Sequence, residues 1–366
     1  MQIRILDRLA DLTSYAGRWN ELLSRSASNS VFLTSEWIEP WWQVFGTDLE
    51  LLVLVAEEHG RLIGIAPLMI APHPSPGGRH IRTLMFVGQG GDTLAEHLDF
   101  VLEPGREREL IGAFVEHLCG SLRRRWDALL LQRVLESSIS RPLVIEQLGQ
   151  RGVAVSTRNE IPSPYLTLPE SMDALLAAKS SNFRYQYQRS RKRLLAAGAA
   201  RFLEAGRDIA LDEAMRALAE LNRERWQDLG SSFRTERYRR FHTALAQRLK
   251  DRDWLWLSVL TLDGQPIAAR YDFVYGGKVW CMQGGWKPSL QSMNLGMIMT
   301  GEVIAWAIGR GLREYDFLGG EDHYKRRWAT AERTLVDLEA FNPATLRGRL
   351  WPRLRSLKRA LSPASA

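Results

Sequence analysis

A short polar turn in the last fifth of the chain carries the residue types that acid–base chemistry needs. Residues 314–318 are predicted to form a strand, and Gly319-Gly320 then leads into Glu321-Asp322-His323-Tyr324-Lys325. Turns at strand ends commonly hold site residues, because a rigid strand positions them while leaving them accessible. The pattern therefore predicts that this turn takes part in a functional site.

The turn supplies a candidate for each proton-transfer role. Group transfer to an amine needs a base that takes the amine proton and an acid that protonates the leaving group. Glu321, or Asp316 from the strand itself, is a candidate base, and Tyr324 is a candidate acid. Lys325 is a candidate contact for a phosphate or a carboxylate. A solvated turn, with Asp316 paired to one of the arginines at 326 and 327, fits the same residues, so both interpretations stay open.

A second candidate site precedes that strand. Ser292-Met293-Asn294-Leu295-Gly296 opens a segment at 295–309 whose apolar residues recur with the 3.6-residue period of a helix. The start of a helix offers free backbone N–H groups and partial positive charge, which suit a pyrophosphate such as that of coenzyme A. Gly296 would let this ligand approach closely, while Ser292 and Asn294 could cap the helix or add hydrogen bonds. An ordinary helix N-cap is the alternative.

The elements around these residues form a regular series. Alternating apolar residues, with turns at Asp263-Gly264 and Gly276-Gly277, predict an antiparallel meander that the helix and the last strand follow. Backbone N–H groups near the end of its third strand, at Met282 and Gln283, are candidates for contacting a bound ligand and stabilising an oxyanion. The predicted strands of the meander are 255–262, 266–275 and 278–283.

The remaining sequence predicts a mixed α/β protein with a long helical stretch. A first helix at 9–24 and strands at 50–56 and 61–70 are expected in the first half. The prolines of Ile161-Pro-Ser-Pro mark a candidate domain boundary. Helical patterns follow at 171–197, which Ser180-Ser-Asn can interrupt, and at 211–229 and 236–249.

Four stretches of the chain resemble one enzyme family. Ser292-Met-Asn-Leu-Gly296 and Tyr315-Asp-Phe-Leu-Gly-Gly-Glu-Asp-His-Tyr-Lys-Arg-Arg-Trp328 look like the GNAT-superfamily acetyltransferases of the CelD type. Those proteins act in cellulose and exopolysaccharide biosynthesis and are related to Fem-type aminoacyltransferases. Val31-Phe-Leu-Thr-Ser-Glu-Trp-Ile-Glu-Pro-Trp-Trp and the basic helix from Asn182-Phe-Arg-Tyr are similar to the same family. The resemblance spans roughly residues 1 to 342.

This resemblance implies tandem GNAT-like domains, each a mixed, largely antiparallel sheet flanked by helices. An N-terminal domain would cover 1–162, and an acyltransferase domain would cover 163–342, with its helical part at 171–249 and its core at 254–342. A basic tail would occupy 343–366. Acetyl-CoA or another acyl-CoA is the implied co-substrate. The chain departs from the usual Gln/Arg-x-x-Gly-x-Gly/Ala loop, because Gln291 and Gly296 stand without the repeated glycines.

Several other charged residues are candidates for holding the acceptor. Arg270 and Asp272 lie two apart on a predicted strand and therefore share a face, either as an ion pair or as part of the acceptor pocket. Arg184 opens a basic helical face that is either solvated or binds an anion such as a sugar nucleotide, a lipid-linked phosphate or tRNA. No recognised nucleic-acid-binding motif accompanies it. The other basic residues of this face are Arg189, Arg191, Lys192 and Arg193.

Composition limits the compartment and the partners. A net charge of +7 and a pI of about 9.6 favour an anionic partner. Two cysteines without CxxC spacing, and histidines without metal-ligand spacing, predict neither a disulfide framework nor a metal site. With no secretory signal or membrane-spanning run, the cytoplasm is expected. The basic tail, with an apolar stripe of four leucines between 350 and 361, would either contact an anionic membrane or dock on the protein.

The leading hypothesis is an acyl-CoA-dependent N-acyltransferase that acts on an amino sugar or another envelope or exopolysaccharide precursor. The acceptor follows from the resemblance alone. A Fem-type aminoacyl-tRNA-dependent transferase is one alternative, and the basic helix would then hold RNA. A non-catalytic scaffold in a polysaccharide synthesis complex is another, and the missing glycines of the loop favour it.

Overall fold

The computed structural model of the chain describes residues 1–74, 80–91, 93, 95–227, 230–320 and 322–352, apart from the side chains at 73 and 74. Contacts divide the chain into two compact units. The first unit joins Met1–Ile161 to Thr334–Ala366, and the second is Pro162–Arg333. The first unit is therefore discontinuous in sequence, because its last segment comes from the end of the chain.

The first half of the chain alternates helices with strands. Helix α1 and strand β2 confirm the predictions made for residues 9–24 and 50–56. In order, the elements are β1 (Gln2–Leu6), α1 (Leu9–Arg25), α2 (Ser35–Phe45), β2 (Glu50–Glu58), β3 (Arg61–Pro74), β4 (His80–Phe86), β5 (Val101–Leu102), α3 (Glu107–Cys119), β6 (Ala128–Leu135), α4 (Ser140–Gly149) and β7 (Val155–Thr167).

The second half begins with helices and ends in the meander that the sequence predicts. Helix α9 has the predicted bounds, whereas β12 ends two residues earlier than expected. In order, the elements are α5 (Met172–Ala177), α6 (Ser181–Ala197), β8 (Ala200–Glu204), α7 (Leu211–Arg225), α8 (Glu236–Asp251), β9 (Leu255–Leu262), β10 (Gln265–Tyr275), β11 (Lys278–Trp286), α9 (Leu295–Gly309), β12 (Glu314–Asp316), α10 (His323–Trp328) and β13 (Ala331–Phe341).

The sheets of the two units have the same strand order. The first unit pairs β1-β2-β3-β4-β6-β13, and the second pairs β8-β9-β10-β11-β12-β7. In each, an antiparallel meander ends at a strand that pairs in parallel with the next one, β4 with β6 and β11 with β12. Two helices precede each meander and one helix crosses over to the parallel strand. The predicted class, mixed α/β with largely antiparallel sheets and helices flanking them, is confirmed.

The turns of the second meander explain why it forms where the sequence indicates. Asp263 and Gly264 have φ values of 49° and 79°, and Gly276 and Gly277 have 62° and 76°. Two consecutive left-handed residues make the type I′ hairpin turn, whose twist matches that of the flanking strands. Glycine and aspartate adopt this region more readily than most residues. Local chemistry therefore fixes the register of β10 against both its neighbours.

A pair of serine caps divides the predicted helical stretch at 171–197 into two helices. The side chain of Ser171 accepts a hydrogen bond from the Ala174 amide at the start of α5. Ser180 does the same for the Phe183 amide at the start of α6. Each hydroxyl satisfies an N–H group that has no partner within its helix. The interruption expected at Ser180-Ser-Asn is therefore confirmed.

Helix α9 packs closely on α6 because it has no side chain at Gly301. A Cβ atom built there would lie 2.5 Å from the hydroxyl oxygen of Tyr187. The Tyr187 ring is buried and meets Trp328 edge to face at 5.8 Å. Aromatic rings in this arrangement attract through their quadrupoles. The helix crossing thus holds the aromatic cluster that lies beside α10.

Helix length also limits what the chain can do at a membrane. Within the described residues, no helix combines the length and the apolar character that a membrane crossing needs.

We expect Gly301→Ala to lower the free energy of unfolding by about 1–3 kcal/mol, because the added methyl group overpacks the contact with Tyr187. Gly309→Ala is the matched control on the same helix, since a Cβ there meets nothing within 4 Å. The control should leave stability unchanged or raise it by up to ~1 kcal/mol. Chemical unfolding followed by tryptophan fluorescence measures both. Equal stability of the two variants would contradict the packing argument.

Candidate active site

A cavity of about 270 Å³ opens in the second unit, and both regions singled out in its sequence reach it. Asn294, Leu295 and Gly296 line it at the start of α9, and Tyr324 lines it from α10. Arg270 contributes from β10. The volume falls just below the usual range of small-molecule pockets, about 300–1,000 Å³. Residues 30 positions apart in sequence are therefore brought to one concave site.

The cavity is bordered by strands that pair only briefly. Strands β11 and β12 align in parallel over three residues, and the last pair is Trp280 with Asp316. Strand β12 ends there, whereas β11 continues to Trp286, whose side chain lines the cavity. Beyond the last pair, β11 has polar backbone groups that β12 does not engage. Such a gap between parallel strands can receive an extended ligand.

A β-bulge shapes β11 at the predicted donor-binding residues. The register of β10 against β11 shifts between Tyr271 and Asp272, which leaves Met282 without a strand partner. The Met282 amide donates instead to Oδ1 of Asp272 at 3.2 Å. The side chain of Gln283 accepts from Asn222 and donates to Tyr238, both at 3.2 Å. Both residues therefore support the site from beneath rather than lining the cavity.

Arg270 and Asp272 form a buried ion pair below the cavity. The Arg270 Nε atom donates to both carboxylate oxygens of Asp272 at 3.0 Å. The Nη2 atom donates to the Tyr315 hydroxyl and, at 2.6 Å, to the Cys281 sulfur. Burial disfavours a charged guanidinium, but the Asp272 carboxylate raises the pKa of Arg270 well above its ordinary value. Arg270 is thus a fixed cation in the cavity wall.

Tyr324 lies in the cavity as a neutral phenol. Burial raises its pKa well above the ordinary tyrosine value, because a phenolate would lose its hydration. Arg270 and Arg225 oppose that shift through their positive charge. The side chain therefore keeps its proton at neutral pH. If the proton leaves, the two arginines would stabilise the resulting phenolate.

Arg225 is a cavity cation that the sequence did not single out. Its guanidinium carbon lies 3.4 Å from the centre of the Trp286 ring and 4.6 Å from that of Trp226. Stacking on indole rings holds a guanidinium flat and partly stripped of water. Burial lowers the pKa of Arg225 to about 10, so the group is still charged at neutral pH. A desolvated cation of this kind favours an anionic or carbonyl oxygen as its partner.

The start of α9 forms another wall of the cavity. Asn294 has left-handed backbone angles, with φ of 53°, and its side chain donates to Ser190 at 3.1 Å. The first amides of a helix have no carbonyl one turn before them, so they remain available to a ligand. Gly296 lies beneath Trp286, because a Cβ built there would be 3.3 Å from the ring. The helix start thus presents bare backbone at the cavity.

The neighbouring loop is held by the basic helix α6. Ser292 and Met293 belong to the 3₁₀ segment Pro288–Met293. The Ser292 carbonyl accepts from Arg193, while Arg184 donates to the carbonyls of Ala177 and Lys179. These arginines therefore bind backbone oxygens of their own unit. Neither Ser292 nor Arg184 is part of the cavity lining.

Asp316 is engaged in contacts within the fold. One carboxylate oxygen forms an ion pair with Arg333, and the other accepts from the Leu318 amide at 2.8 Å. Burial raises the pKa of Asp316, and Arg333 counteracts that shift. An ion pair was one of the two interpretations of Asp316, and its partner is Arg333 rather than an arginine at 326 or 327. The bond to Leu318 also ends β12 early.

Of the remaining candidates in the turn, Lys325 makes contacts within the fold, and Glu321 is not among the described residues. The Lys325 Nζ donates to the carbonyls of Gly319 at 2.8 Å and Leu318 at 3.4 Å, and it lies 3.2 Å from the Asp322 carboxylate. It therefore ties the start of α10 to the end of β12. Glu321, the other candidate base, lies outside the described residues.

Aromatic side chains complete the cavity, and the sequence analysis indicated only some of them. Phe183 and Trp328 line it, with ring centres 4.8 Å apart. Arg327 also lines it and lies over the Phe183 ring at 5.2 Å. Trp328 and Arg327 close the motif that begins at Tyr315, so that motif could have indicated them. Arg225 comes from α7 and carries no comparable motif.

The charged side chains of the cavity lining have one sign. Its charged side chains within the described residues are Arg225, Arg270 and Arg327, with no carboxylate among them. Among the described residues, no group of histidine, cysteine, aspartate or glutamate side chains could hold a metal ion. The arrangement is thus suited to a ligand with anionic groups.

Comparison with known proteins places this unit in a class. Residues 181–326 match the family model described as an acetyltransferase (GNAT) domain. No curated protein matches the chain. The crystal structure of FemX is similar with a TM-score of 0.65 at 11% identity, over 96% of this chain and 99% of that one. The structure of L-PGS from Bacillus licheniformis is similar with a TM-score of 0.52 at 10% identity, over 93% and 96%.

These likenesses agree with the geometry of the second unit. The solved structures share the fold at identities too low to carry more than the fold. The family model covers the meander, the helix α9 and the turn that contains Tyr324. The chain therefore contains a GNAT-type acyltransferase domain, and the cavity lies within the matched residues apart from Arg327 and Trp328, which follow directly.

We expect Asp272→Asn to destabilise the second unit by about 3–5 kcal/mol, because it leaves Arg270 as a buried charge without its counter-ion. Asp253→Asn is the control, since Asp253 pairs with Arg310 at the surface and its side chain is 86% exposed. That change should cost at most about 1 kcal/mol. Urea unfolding of both variants tests the difference. A mild effect of Asp272→Asn would show that the buried pair does not hold the sheet.

Proposed function

We propose that the chain is an acyl-CoA-dependent N-acyltransferase whose reaction takes place in the cavity of the second unit. The observation that carries the proposal is the convergence of bare helix-start amides, a neutral buried tyrosine and three arginines on one cavity. The match to a GNAT domain supplies the reaction class. The acyl donor is acetyl-CoA or another acyl-CoA, held as a co-substrate.

The start of α9 is the proposed site for the pyrophosphate of the donor. Anions bind at helix N-termini because backbone N–H groups and the helix dipole both favour negative charge. Gly296 keeps the approach to those amides open, and Arg327 adds a nearby cation. Asn294 and Leu295 complete this edge of the cavity. The missing glycines of the usual GNAT loop are offset by the left-handed turn that Asn294 makes without a glycine.

The proposed chemistry is attack of an acceptor amine on the thioester carbonyl. The amine loses a proton as the new C–N bond forms, and the tetrahedral intermediate then expels the coenzyme A thiolate, which must gain a proton. Tyr324 is the proposed donor of that proton, because burial keeps its phenol neutral. Arg225 and Arg270 would stabilise the transient phenolate, which is later reprotonated from solvent.

Two residues are proposed as alternatives for the base that takes the amine proton. Asp316 would have to exchange its bonds to Arg333 and the Leu318 amide to act directly. Glu321, directly or through water, is the alternative that the motif offers. Backbone amides near the end of β11, beyond the Met282 bulge, are the proposed donors to the oxyanion. Lys325 is proposed to position the turn rather than to contact substrate.

For the acceptor, we propose an amino sugar or another precursor of an envelope component or exopolysaccharide. The support is the resemblance to CelD-type acetyltransferases, together with a cavity whose charged groups are all arginines. Such a lining favours an acceptor that carries phosphate or carboxylate beside its amine. Arg270 would contact that acceptor from the cavity wall, and Asp272 would hold the Arg270 side chain in place. We also propose a cytoplasmic location and two tandem GNAT-like repeats, over 1–162 and 163–342, although the segment from Thr334 packs with the first unit.

Two other functions are alternatives to the proposed acyl transfer. FemX is a structural neighbour, so transfer from an aminoacyl-tRNA is the first rival. Arg184 and Arg193 bind backbone oxygens of their own unit, which leaves less of the basic face for RNA. A scaffold without chemistry is the second rival. The leucines of the basic tail from 354 onward lie outside the described residues, so its membrane contact rests on sequence alone.

We expect acetyl-CoA to bind wild-type protein with micromolar affinity and Gly296→Asp to abolish that binding, because the carboxylate would oppose the pyrophosphate at the helix start. Gly309→Asp is the charge-matched control at the other end of α9, and it should bind as wild type does. Calorimetry on variants with native circular dichroism measures this. Failure of folded wild-type protein to bind acetyl-CoA would overturn the proposal and make charged tRNA the next ligand.

We expect Tyr324→Phe to lower kcat about 10²- to 10⁴-fold while leaving the Kd of acetyl-CoA within about threefold, because only the proton donor is lost. Since burial raises the pKa of Tyr324, loss of its proton should not lower the wild-type rate near the ordinary tyrosine pKa of about 10, and a fall at that pH would report Arg225 instead. Thiol release assayed across pH measures both effects. A kcat unchanged in Tyr324→Phe would remove this residue from the mechanism.

A further inference from the structure

The first unit contains a cavity of its own, of about 290 Å³, on one face of its sheet. Side chains from β4, β6, β7 and β13 line it, together with Trp351. Neither the family model nor the proposed acyl transfer involves these residues, because the model match begins at residue 181. The size suits a ligand about as large as a single sugar ring.

One wall of this cavity is a polar network built around Asp337. Its carboxylate accepts from the Asn159 side chain at 2.8 Å, the Gln132 side chain at 3.1 Å and the Arg133 amide at 3.0 Å. A bulge in the pairing of β6 with β13 places Asp337 outside the ladder, between Val336 and Leu338. Three donors on one carboxylate fix its orientation.

Two further polar groups belong to the same wall. The Gln132 side chain is oriented by Gln89, which donates to it at 3.0 Å and accepts from the Gln132 amide at 3.1 Å. Thr83 is 2% exposed, and its hydroxyl oxygen is buried without a hydrogen-bond partner. An unpaired buried hydroxyl costs free energy, so a ligand that engages it recovers a bond the fold leaves unmade.

Another part of the lining is apolar and partly aromatic. Ile81, Ala128 and Trp351 form a small buried cluster, and Phe341 packs against it. These four side chains also line the cavity. Aromatic and aliphatic side chains beside amides and a carboxylate suit a ligand with one C–H face and several hydroxyl groups, which is the surface of a sugar ring.

The charge of the lining limits further which ligands this cavity can bind. Its charged side chains within the described part of the chain are Asp337, Glu339 and Arg158, and Arg158 pairs with Glu339 at 2.7 Å. The pair cancels itself, so Asp337 leaves the cavity with net negative charge. A phosphate or carboxylate would be repelled, whereas a neutral or protonated amino group would not.

We propose that this cavity is a second ligand site, which binds a neutral or amino-substituted saccharide unit. It is independent of acyl transfer, because it lies in the other unit and its charge has the opposite sign from that of the arginine-lined cavity. The ligand's ring face packs on Trp351 and Phe341. Its hydroxyl or ammonium groups bond to Asp337, Gln132 and Thr83.

The test uses the full-length protein with three probes: D-glucosamine, D-glucose and D-glucose 6-phosphate. Ligand-observed NMR titrations should give saturable binding of glucosamine and glucose, with glucose 6-phosphate at least about tenfold weaker. Asp337→Asn should bring the affinity for glucosamine close to that for glucose, because the preference for the ammonium group is lost. Binding that Arg225→Ala weakens belongs to the cavity of the second unit and is discounted, whereas the surface change Asp253→Asn should leave all three affinities unchanged.

Thr83→Val and Thr83→Ser separate ligand contact from folding. Valine removes the unpartnered hydroxyl at nearly constant shape, so stability should stay equal or rise, while sugar affinity should fall about 3- to 10-fold. Serine keeps the hydroxyl and should bind as wild type does. The proposal is overturned if folded wild-type protein shows no saturable sugar binding, if glucose 6-phosphate binds as well as glucosamine, or if Asp337→Asn and Thr83→Val both bind unchanged.

Discussion

The ion pair of Arg270 and Asp272 constrains the second unit more than any other contact described above. Neither charge can reach bulk water, so each must be satisfied by groups fixed nearby. Tyr315 brings β12 against β11, and the Met282 amide leaves the strand ladder to reach the carboxylate. The bulge in β11 and the approach of β12 to β11 both follow from satisfying this one pair.

The first unit also has a bulge at which a backbone amide bonds to a carboxylate, but its cavity differs in charge. At its bulge the Arg133 amide turns to the Asp337 carboxylate, as the Met282 amide turns to Asp272. Asp272 forms an ion pair with an arginine, whereas Asp337 accepts from two side-chain amides and a backbone N–H group. The same strand order therefore supports one cavity with basic walls and one with an acidic wall. A shared fold leaves ligand chemistry to the few side chains that line each cavity.

Local patterns predicted most of the second sheet. Hairpins at Asp263-Gly264 and Gly276-Gly277 and the apolar period of α9 depend on neighbours within a few residues, so the sequence reveals them. Strand β7 contains Pro162 and Pro164, which argued for a boundary rather than a strand. Its pairing with β12 joins residues about 150 positions apart, and no local pattern reports that. No local pattern shows the repeated strand order of the two units either, and only the family resemblance implied tandem domains.

The sequence by itself indicated a GNAT-type acyltransferase domain, the helix start at Asn294–Gly296 and the motif that contains Tyr324, because these lie within short stretches with fixed spacing. Only the tertiary structure decided which charges meet. It pairs Asp316 with Arg333, brings Arg225 from α7 onto Trp286, and sets Asp337 among three donors. The physical reason is that a buried charge takes its role from its partners and its loss of hydration, and both depend on how distant strands align.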